Sequence, residues 1–465
     1  MKKMFKDKDF LRLLAVIALP IAAQNLITFA IQMMDTIMLG AMGQTQLTAA
    51  SLANQPFFVF TILTFGLASG ASVLNAQYWG KGQVEPIRLV TALVLKVAFA
   101  FSVVLSVLIL LFPEQVMRIY TPEEAVIREG VKYLRIIVFT YVIYGVTATY
   151  ISTLRSIASI RIAVVVYLTS LCVNVFLNWV LIFGNLGAPA MGIEGAALAT
   201  LIARLTEFVI TVIYAFFIDK KLKLRPRHFL KNDWALTRDY FRHGLPVVFN
   251  ELLWSVGVSV QSMILGRLGE AVVSASQIAS VVQQFATVFV FGIANAAAVI
   301  IGNAVGEGNL EKAGQRAEWL KAVSLAVGVF SAGMILLIRP VAVSFYNVPD
   351  TTKELAGGMV AIQAVIVFFV SITAVGIVGI LRGGGDTRFA LCTDLCTLWL
   401  VALPAGLLTA FVFRLPVLLV YAAIKLDEPV KVAVIFWRLR NRNWIKNVTR
   451  SQETEPSRIL EEEFS

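Results

Sequence analysis

Residues 102–112 read SVVLSVLILLF, a continuous apolar run that decides between the two folds able to cross a membrane. Only helices and closed barrels satisfy their own backbone hydrogen bonds in hydrocarbon, and barrel strands alternate apolar with polar residues. Comparable runs recur along a chain of 465 residues that is 58% hydrophobic and only 15% charged, against roughly 25% charged in ordinary soluble domains. The sequence therefore predicts an all-α polytopic membrane protein in the lipid bilayer.

The apolar runs are long enough for a helix of about 20 residues to cross the bilayer. We predict twelve transmembrane helices in two six-helix lobes. The predicted spans are 11–39, 51–79, 89–112, 130–153, 161–184 and 192–217 in the first half, and 241–266, 277–304, 318–338, 355–380, 388–413 and 415–437 in the second.

Basic residues lie mainly in alternate connectors, and the longest basic connector is 219–242. The positive-inside rule places it in the cytoplasm, and with it both termini of a protein of the cell (plasma) membrane. The net charge of +11 is therefore explained by the basic residues of the cytoplasmic connectors, and we expect no nucleic-acid partner. The predicted divisions are an N-terminal lobe at 1–218, a linker at 219–240, a C-terminal lobe at 241–437 and a cytoplasmic tail at 438–465. Within the tail, 451–465 is polar and predicted to be disordered.

The two halves form an internal repeat at an offset of 226 residues, without a gap between Leu19 and Glu85. The matching pairs include Leu19-Pro20 with Leu245-Pro246, Phe65-Gly66 with Phe291-Gly292, Gly80 with Gly306, and Gly82 with Gly308. Because each half has an even number of spans, both run the same way through the membrane. A parallel repeat of this kind is typical of transporters whose two halves rock against each other around a substrate.

The chain offers no motif for an enzyme or an ATP-driven pump. The glycine-rich stretch 383–387 (GGGDT) lacks the lysine of a phosphate-binding loop, and the chain has only two histidines. An ion gradient is then the expected source of energy. We expect no enzymatic activity and no cofactor beyond a coupling ion, Na⁺ or H⁺.

Four stretches carry a resemblance to a known family: LPIAAQNLITFAIQMMDTIMLGAMG (19–43), FGLASGASVLNAQYWGKG (65–82), GLPVVFNELLWS (244–255) and LRGGGDTRFAL (381–391). They resemble the multidrug and toxic compound extrusion (MATE) family, and the likeness covers nearly the whole chain. The resemblance implies a multidrug efflux antiporter that exports organic, often cationic, small molecules in exchange for Na⁺ or H⁺. We expect it to act as a monomer.

Asp35 lies in an apolar helix, where an ionisable side chain that faces the bundle interior is a functional candidate. Asn174 and Asn178 are four residues apart and share a face of the fifth span. The resemblance implies a cation-coupling site made of Asp35, these two asparagines and Thr200. Carboxylate, amide and hydroxyl oxygens suit a hard cation such as Na⁺. Some relatives have a second aspartate where this chain has Asn178. The predicted site therefore has one carboxylate, and H⁺ alone stays possible as the coupling ion.

A second set of polar residues lies in the C-terminal half. Glu251 is in the seventh span, Gln261 is the repeat position of Asp35, and Gln277 and Gln284 are in the eighth span. We predict a substrate or second ion site here, with pairing to a neighbouring helix as the structural alternative. Because Gln261 carries no charge, we infer that the N-terminal lobe binds the coupling ion.

Other charged residues in the spans have the spacing of helical ion pairs, which predicts structural neutralisation. The predicted pairs are Arg204 with Glu207, Lys425 with Glu428, and Asp427 with Lys431. Asp394, near the cytoplasmic end of the eleventh span, has no assigned role.

Two other classes of protein stay open. A lipid-linked oligosaccharide flippase would need a strongly cationic cavity, and the predicted helix interiors contain few lysines or arginines. A membrane enzyme would need clustered His, Asp or Ser side chains, which the sequence does not offer.

Overall fold

The fold is given by a computed structural model, which describes residues 7–450 apart from Phe345 and Asn347. In that part of the chain every regular element is a helix and no strand occurs, which confirms the all-α class. The predicted disordered tail at 451–465 lies outside the described residues. So do three of the N-terminal lysines that contributed to the predicted orientation, Lys2, Lys3 and Lys6.

Six spans make up the first half. In chain order they are Lys8–Gly40; Gln44–Ala53 with Gln55–Gly80; Val84–Leu111; Glu124–Ile137 with Phe139–Ser156; Arg161–Phe183; and Ile193–Ile213 with the π-helical Tyr214–Ile218. Short helices lie in the connectors at Pro113–Tyr120, Asn185–Gly187 and Pro226–Leu230.

Six further spans make up the second half. They are Trp234–Gly266; Glu270–Gly306; Leu310–Ser344; Asp350–Ala374 with Val375–Arg382; Thr387–Thr397, Leu398–Ala402, Leu403–Leu407 and Leu408–Val412 in succession; and Val417–Ala423 with Asp427–Arg440. The segments Val375–Arg382, Leu398–Ala402 and Leu408–Val412 are π-helical.

Three spans depart from their predicted form. The fourth begins at Glu124 and bends by 48° between Ile137 and Phe139. The seventh begins at Trp234, inside the predicted linker, because the Asp233 carboxylate caps the helix by accepting from the N–H groups of Ala235 and Leu236, as N-cap aspartates do. The twelfth is not one helix: a turn at 424–426 separates its two parts.

Repeat-equivalent residues form the contact between the two halves. Gly80 of the second span packs on the backbone of Asn303, and Gly306 of the eighth span packs on the backbone of Gln77. The offset of 226 residues that relates Gly80 to Gly306 also relates Gln77 to Asn303. The repeat found in the sequence is therefore a pseudo-two-fold relation in space, and it brings two helix backbones together where no Cβ would fit.

The contacts between the halves lie toward one end of the molecule. Near the start of the first span, the rings of Phe10 and Trp319 are 4.9 Å apart. At the opposite ends of the first and seventh spans, Ile37 and Met263 are 58% and 66% exposed. The lobes are thus packed together at the end of the turns that follow Gly80 and Gly306, which the sequence predicts to be cytoplasmic.

A C-terminal segment, residues 441–450, continues from the twelfth span across this packed end. The Gln77 amide accepts from Val448 N–H and donates to Lys446 C=O, at 2.8 and 3.1 Å. On the other half, Lys446 N–H donates to Gly384 C=O at 2.7 Å, and Trp444 is buried. The segment is therefore bound to both lobes.

The connector between the halves is anchored by His228, which is fully buried. Its Nδ1 accepts a 2.9 Å hydrogen bond from the N–H of Arg225, so the ring is neutral in the folded connector. Burial lowers the pKa of His228, and the nearby Glu85 carboxylate offsets this only in part. Protonation would place a hydrogen on Nδ1 and break the bond to Arg225.

We expect the connector to loosen as the pH falls below about 6.5, the ordinary pKa of histidine. The pKa is lower in the folded than in the released connector, so the released form binds more protons and gains population at acidic pH. Hydrogen–deuterium exchange of 222–231, corrected for chemical exchange, should increase with acidity in the wild type but not in His228→Gln. Equal pH dependence in both proteins would contradict the role of His228.

Candidate cation and substrate sites

The structure brings together all four residues predicted for the cation site. Asn178 Nδ2 donates to Asp35 Oδ1 at 2.6 Å and to Asn174 Oδ1 at 3.2 Å. Asn174 Nδ2 donates to Thr200 Oγ1 at 3.3 Å, and Thr200 donates to the C=O of Ala196 at 3.0 Å. The first, fifth and sixth spans therefore meet in one polar cluster inside the N-terminal lobe. The residues converge as predicted, while their role in coupling stays a prediction.

This cluster retains capacity for a cation. Asn178 is buried, yet its Oδ1 has no hydrogen-bond partner among the described residues. Oxygens from one carboxylate, two amides and one hydroxyl are ligands that Na⁺ accepts. A proton on Asp35 would instead make that side chain a donor, and a rotated Asn178 amide would present its unpartnered oxygen to it. The geometry suits either ion.

The predicted ion pair between Arg204 and Glu207 is confirmed, one turn beyond Thr200. Arg204 Nη1 lies 2.9 and 3.0 Å from the two Glu207 carboxylate oxygens, and the guanidinium lies 5.1 Å from the ring centre of Tyr144. Glu207 is fully buried. The pair neutralises itself beside the cation cluster.

We expect Glu207→Gln to destabilise the protein by about 3–5 kcal/mol, because it leaves the Arg204 charge buried without a partner. Arg204→Met combined with Glu207→Leu should recover most of that loss, since it removes both charges. Thermal unfolding in detergent micelles would compare the stability of the wild type, Glu207→Gln and the double variant. If the double variant is as unstable as Glu207→Gln, the pair has a role beyond mutual neutralisation.

Glu251 takes the structural alternative stated from the sequence: it pairs with a neighbouring helix. Its Oε1 lies 2.8 Å from Arg382 Nη1 at the end of the tenth span. The carboxylate is therefore balanced in this conformation, and a role in ion or substrate binding stays a prediction.

Gln261, the repeat counterpart of Asp35, bridges the break in the twelfth span. Its Nε2 donates to the C=O of Ile424 at 2.8 Å, and its Oε1 accepts from Lys425 Nζ at 3.0 Å. The predicted pairing of Lys425 with Glu428 is wrong, because the turn at 424–426 directs the lysine toward Gln261. An ammonium group thus lies on the position equivalent to the cation site of the other lobe.

The predicted pair of Asp427 with Lys431 is confirmed at 2.8 Å, but it is part of a larger network. Lys431 Nζ also lies 2.9 Å from Asp394 and 3.1 Å from Glu428. The sequence could not place Asp394 here, since it lies in the eleventh span and the contact depends on how two spans pack. We call Asp394, Asp427, Glu428 and Lys431 the Lys431 network.

Gln277 and Gln284 lie apart from the other predicted site residues and are exposed. They are seven residues apart, so they share a helix face with Phe291, which is also exposed. The Phe285 ring beside Gln284 lies 6.1 Å from that of Phe29 in the first span. This exposed face of the eighth span lies beside the first span, and its role in substrate binding stays a prediction.

A cavity of about 30 Å³ lies between the lobes and contains two arginines. Arg155 and Arg382 match in the repeat at an offset of 227, one residue more than in the first two spans, and both lie in predicted cytoplasmic connectors. Arg382 is balanced by Glu251. Arg155 donates to the amide oxygens of Gln24 and Asn295 at 3.1 and 3.4 Å, and its Nε has no partner among the described residues. The helix interiors are therefore more cationic than predicted.

Two pseudo-symmetric helical lobes with a polar site inside one of them and a cavity between them are the architecture of a multi-pass membrane transporter. The comparisons with known proteins agree. A family model described as MatE matches residues 20–180 and 246–408, well over half of the chain. The protein belongs to the MatE family, the multidrug and toxic compound extrusion transporters.

Individual relatives are distant but match over most of their length. The chain is 26% identical over 406 residues to a protein of Thermotoga maritima named probable multidrug resistance protein NorM, with 86% of each chain covered. A solved structure described as the outward-facing conformation of a multidrug resistance MATE family transporter has a TM-score of 0.85 at 19% identity, and the match covers 94% of this chain and 96% of that one.

A third protein, a MOP superfamily transporter from Pyrococcus furiosus, has a TM-score of 0.85 at 18% identity, with 94% of this chain and 96% of that chain covered. Its structure is described as having a binding pocket of reverse polarity that suggests a different function. At such identities the two structural matches show the fold alone.

Proposed function

We propose that this protein is a secondary active multidrug efflux antiporter of the cell membrane, which exports organic, often cationic, small molecules in exchange for H⁺ or Na⁺. The observation that carries the proposal is the convergence of Asp35, Asn174, Asn178 and Thr200 in one cluster. The names of the relatives support the class of substrate. We propose a monomer with both termini in the cytoplasm and no cofactor beyond the coupling ion.

The position of Asp35 offers a route from ion binding to lobe movement. Asp35 is bonded to the fifth span, while Ala18 and Ala22 of the same first span pack against Gly292 of the other lobe. An ion that binds the cluster more tightly in one arrangement of the first span shifts the equilibrium toward it. In the predicted topology the described conformation is closed to the cytoplasm, so the ion would enter from outside.

Purified protein in liposomes would test this proposal with ethidium as the transported cation. Na⁺ and pH gradients are imposed separately, each with an ionophore that collapses it. We expect one gradient to drive ethidium transport and thereby to name the coupling ion. Folded protein that moves ethidium under neither gradient would contradict the antiporter proposal.

The arginines between the lobes favour a second candidate, a flippase for lipid-linked oligosaccharides. Such a substrate carries a pyrophosphate, and Arg155 offers a charge that no carboxylate balances in the described residues. Translocation of a fluorescent lipid-linked pyrophosphate in the same liposomes, lost in Arg155→Gln, would favour the flippase.

A further inference from the structure

The Lys431 network contains more carboxylates than ammonium groups to balance them. Lys431 lies 2.8–3.1 Å from Asp394, Asp427 and Glu428, and its ammonium donates a hydrogen bond to Glu428 Oε1. Lys425 is the second ammonium in this part of the twelfth span and is bonded to Gln261. Glu251 and Arg382 balance each other. One negative charge is left over in the interior of a membrane-embedded lobe.

The contacts of Glu428 show how the excess charge is removed. Its Oε2 lies 2.5 Å from Thr373 Oγ1, and the same hydroxyl lies 3.2 Å from the C=O of Val370. A hydroxyl has one hydrogen. A protonated Glu428 that donates to Thr373, which then donates to Val370, gives each contact its own hydrogen, whereas an ionised Glu428 would share the one hydroxyl hydrogen with Val370.

The other two carboxylates are better stabilised as anions. Asp427 is closest to the ammonium and is the first residue of its helix, where the helix dipole favours negative charge. Asp394 forms an ion pair with Lys431 at 2.9 Å and accepts a hydrogen bond from Asn250 Nδ2, also at 2.9 Å. Glu428 has the longest ammonium contact of the three. Like charges that share one counter-ion cannot all remain ionised in a low-dielectric site.

Asn250 is a second, independent observation that indicates a place for a proton donor in this network. Its side chain is 2% exposed, and its Oδ1 has no hydrogen-bond partner among the described residues. The amide Nδ2 beside that oxygen is bonded to Asp394. An unpartnered buried acceptor next to a carboxylate is a position for a proton donor, either a water molecule or a protonated carboxyl group.

We propose that the Lys431 network is a second proton-exchange site, in the C-terminal lobe, and that Glu428 holds the proton in the described conformation. When the lobes open at the cytoplasmic end, Glu428 releases the proton to the cytoplasm and becomes a carboxylate. Lys431 already lies among the three carboxylates, which leaves the centre of the network to the ammonium and not to a metal ion. Only the direction of proton movement rests on the proposed antiport.

The break in the twelfth span makes this site. Discontinuous helices in transporters place charged helix ends at ion sites, and here the N-terminus of Asp427–Arg440 carries two of the carboxylates. The groups facing Glu428 are Lys431 and Asp427 from its own helix and Thr373 from the tenth span. The eleventh span contributes Asp394 across Lys431. The seventh contributes Asn250 and Glu251, and Glu251 pairs with Arg382 of the tenth span.

Infrared difference spectroscopy of the full-length protein in lipid nanodiscs would test the proposal without transport. The parent is Asp35→Asn, which removes the carboxyl group of the other lobe. We expect a carboxylic-acid C=O band that disappears as the pH is raised. The band should be absent in Asp35→Asn with Glu428→Gln, shifted in frequency with Thr373→Val, and unchanged with Glu123→Gln, an exposed carboxylate.

Glu428→Gln is the neutral isostere of the protonated acid and can keep the contacts to Thr373 and Lys431, so it should fold. A band that persists in Glu428→Gln, or that is lost in Asp394→Asn instead, would overturn the assignment. This outcome is separate from the antiport proposal. If the band behaves as expected while Asp35→Asn transports normally, the N-terminal coupling site fails and the C-terminal proton site stands.

Discussion

Asp35→Asn is expected to reduce gradient-driven ethidium efflux to the level of protein-free liposomes. The substitution removes the one carboxylate of the N-terminal cation cluster, and with it the charge that would bind Na⁺ or exchange a proton. A ligand moves a conformational equilibrium only through its different affinity for the two states. Without the ion bound at Asp35, the gradient has no means of driving the first span between its arrangements.

Asparagine keeps an Oδ1 that can accept from Asn178 Nδ2, the 2.6 Å contact of the wild type. The variant should therefore fold with wild-type thermal stability, and the loss of transport would be specific. Asp9→Asn is the matched control, since Asp9 lies exposed in the first turn of the same helix. It should transport as the wild type does. Efflux retained by Asp35→Asn would place coupling outside the N-terminal cluster.

Gly306→Ala is expected to prevent closure of the lobes at the packed end and to abolish transport. A Cβ on Gly306 would collide with the backbone of Gln77, and one on Gly80 would collide with that of Asn303. Both obstacles are backbone atoms, which cannot rotate aside as a side-chain terminus can. Because the two positions are repeat equivalents at one interface, Gly80→Ala should give the same result.

Spin labels at Gln83, in the turn after the second span, and at Glu311, in the first turn of the ninth span, would measure the separation of the lobes. The free Cys172, Cys392 and Cys396 are first replaced by serine. We expect a longer distance in Gly306→Ala than in the parent. Gly333→Ala is the matched control, because this helical glycine has nothing within 4 Å of its added Cβ. If Gly306→Ala has the same distance as the parent and full transport, the interface accommodates the added Cβ and the prediction is contradicted.

Much of the N-terminal lobe could be predicted because its signals are local or periodic. Asn174 and Asn178 had to share a face from their spacing, and a lone carboxylate in an apolar helix had to face inward. The repeat offset identified Gly80 and Gly306 as equivalents. It could not show that each packs on the helix of the other lobe, because sequence periodicity carries no information about the distance between lobes.

The prediction of one continuous twelfth span is wrong, although the sequence contains a local signal for the break. Pro429 follows Asp427 and Glu428, and proline is tolerated in the first turn of a helix, where its missing N–H has no intrahelical partner. This is the pattern of a new helix start, which the apolar flanks concealed. The contact of Lys431 with Asp394 needed the packing of two spans. The sequence predicts that Arg155 and Arg382 lie in connectors, because the positive-inside rule uses the position of a basic residue along the chain and not the direction of its side chain.

The C-terminal segment has a consequence for the speed of transport. Four hydrogen bonds join it to the second span, through Gln77 twice, Tyr78 and Lys81. Since the segment continues from the twelfth span, we expect separation of the lobes at this end to break these four bonds. At a net 0.5–1.5 kcal/mol for each bond, the activation barrier for opening rises by about 2–6 kcal/mol, and each 1.4 kcal/mol slows a step about tenfold. We therefore expect this short stretch of chain outside the bundle to slow the opening of the packed end.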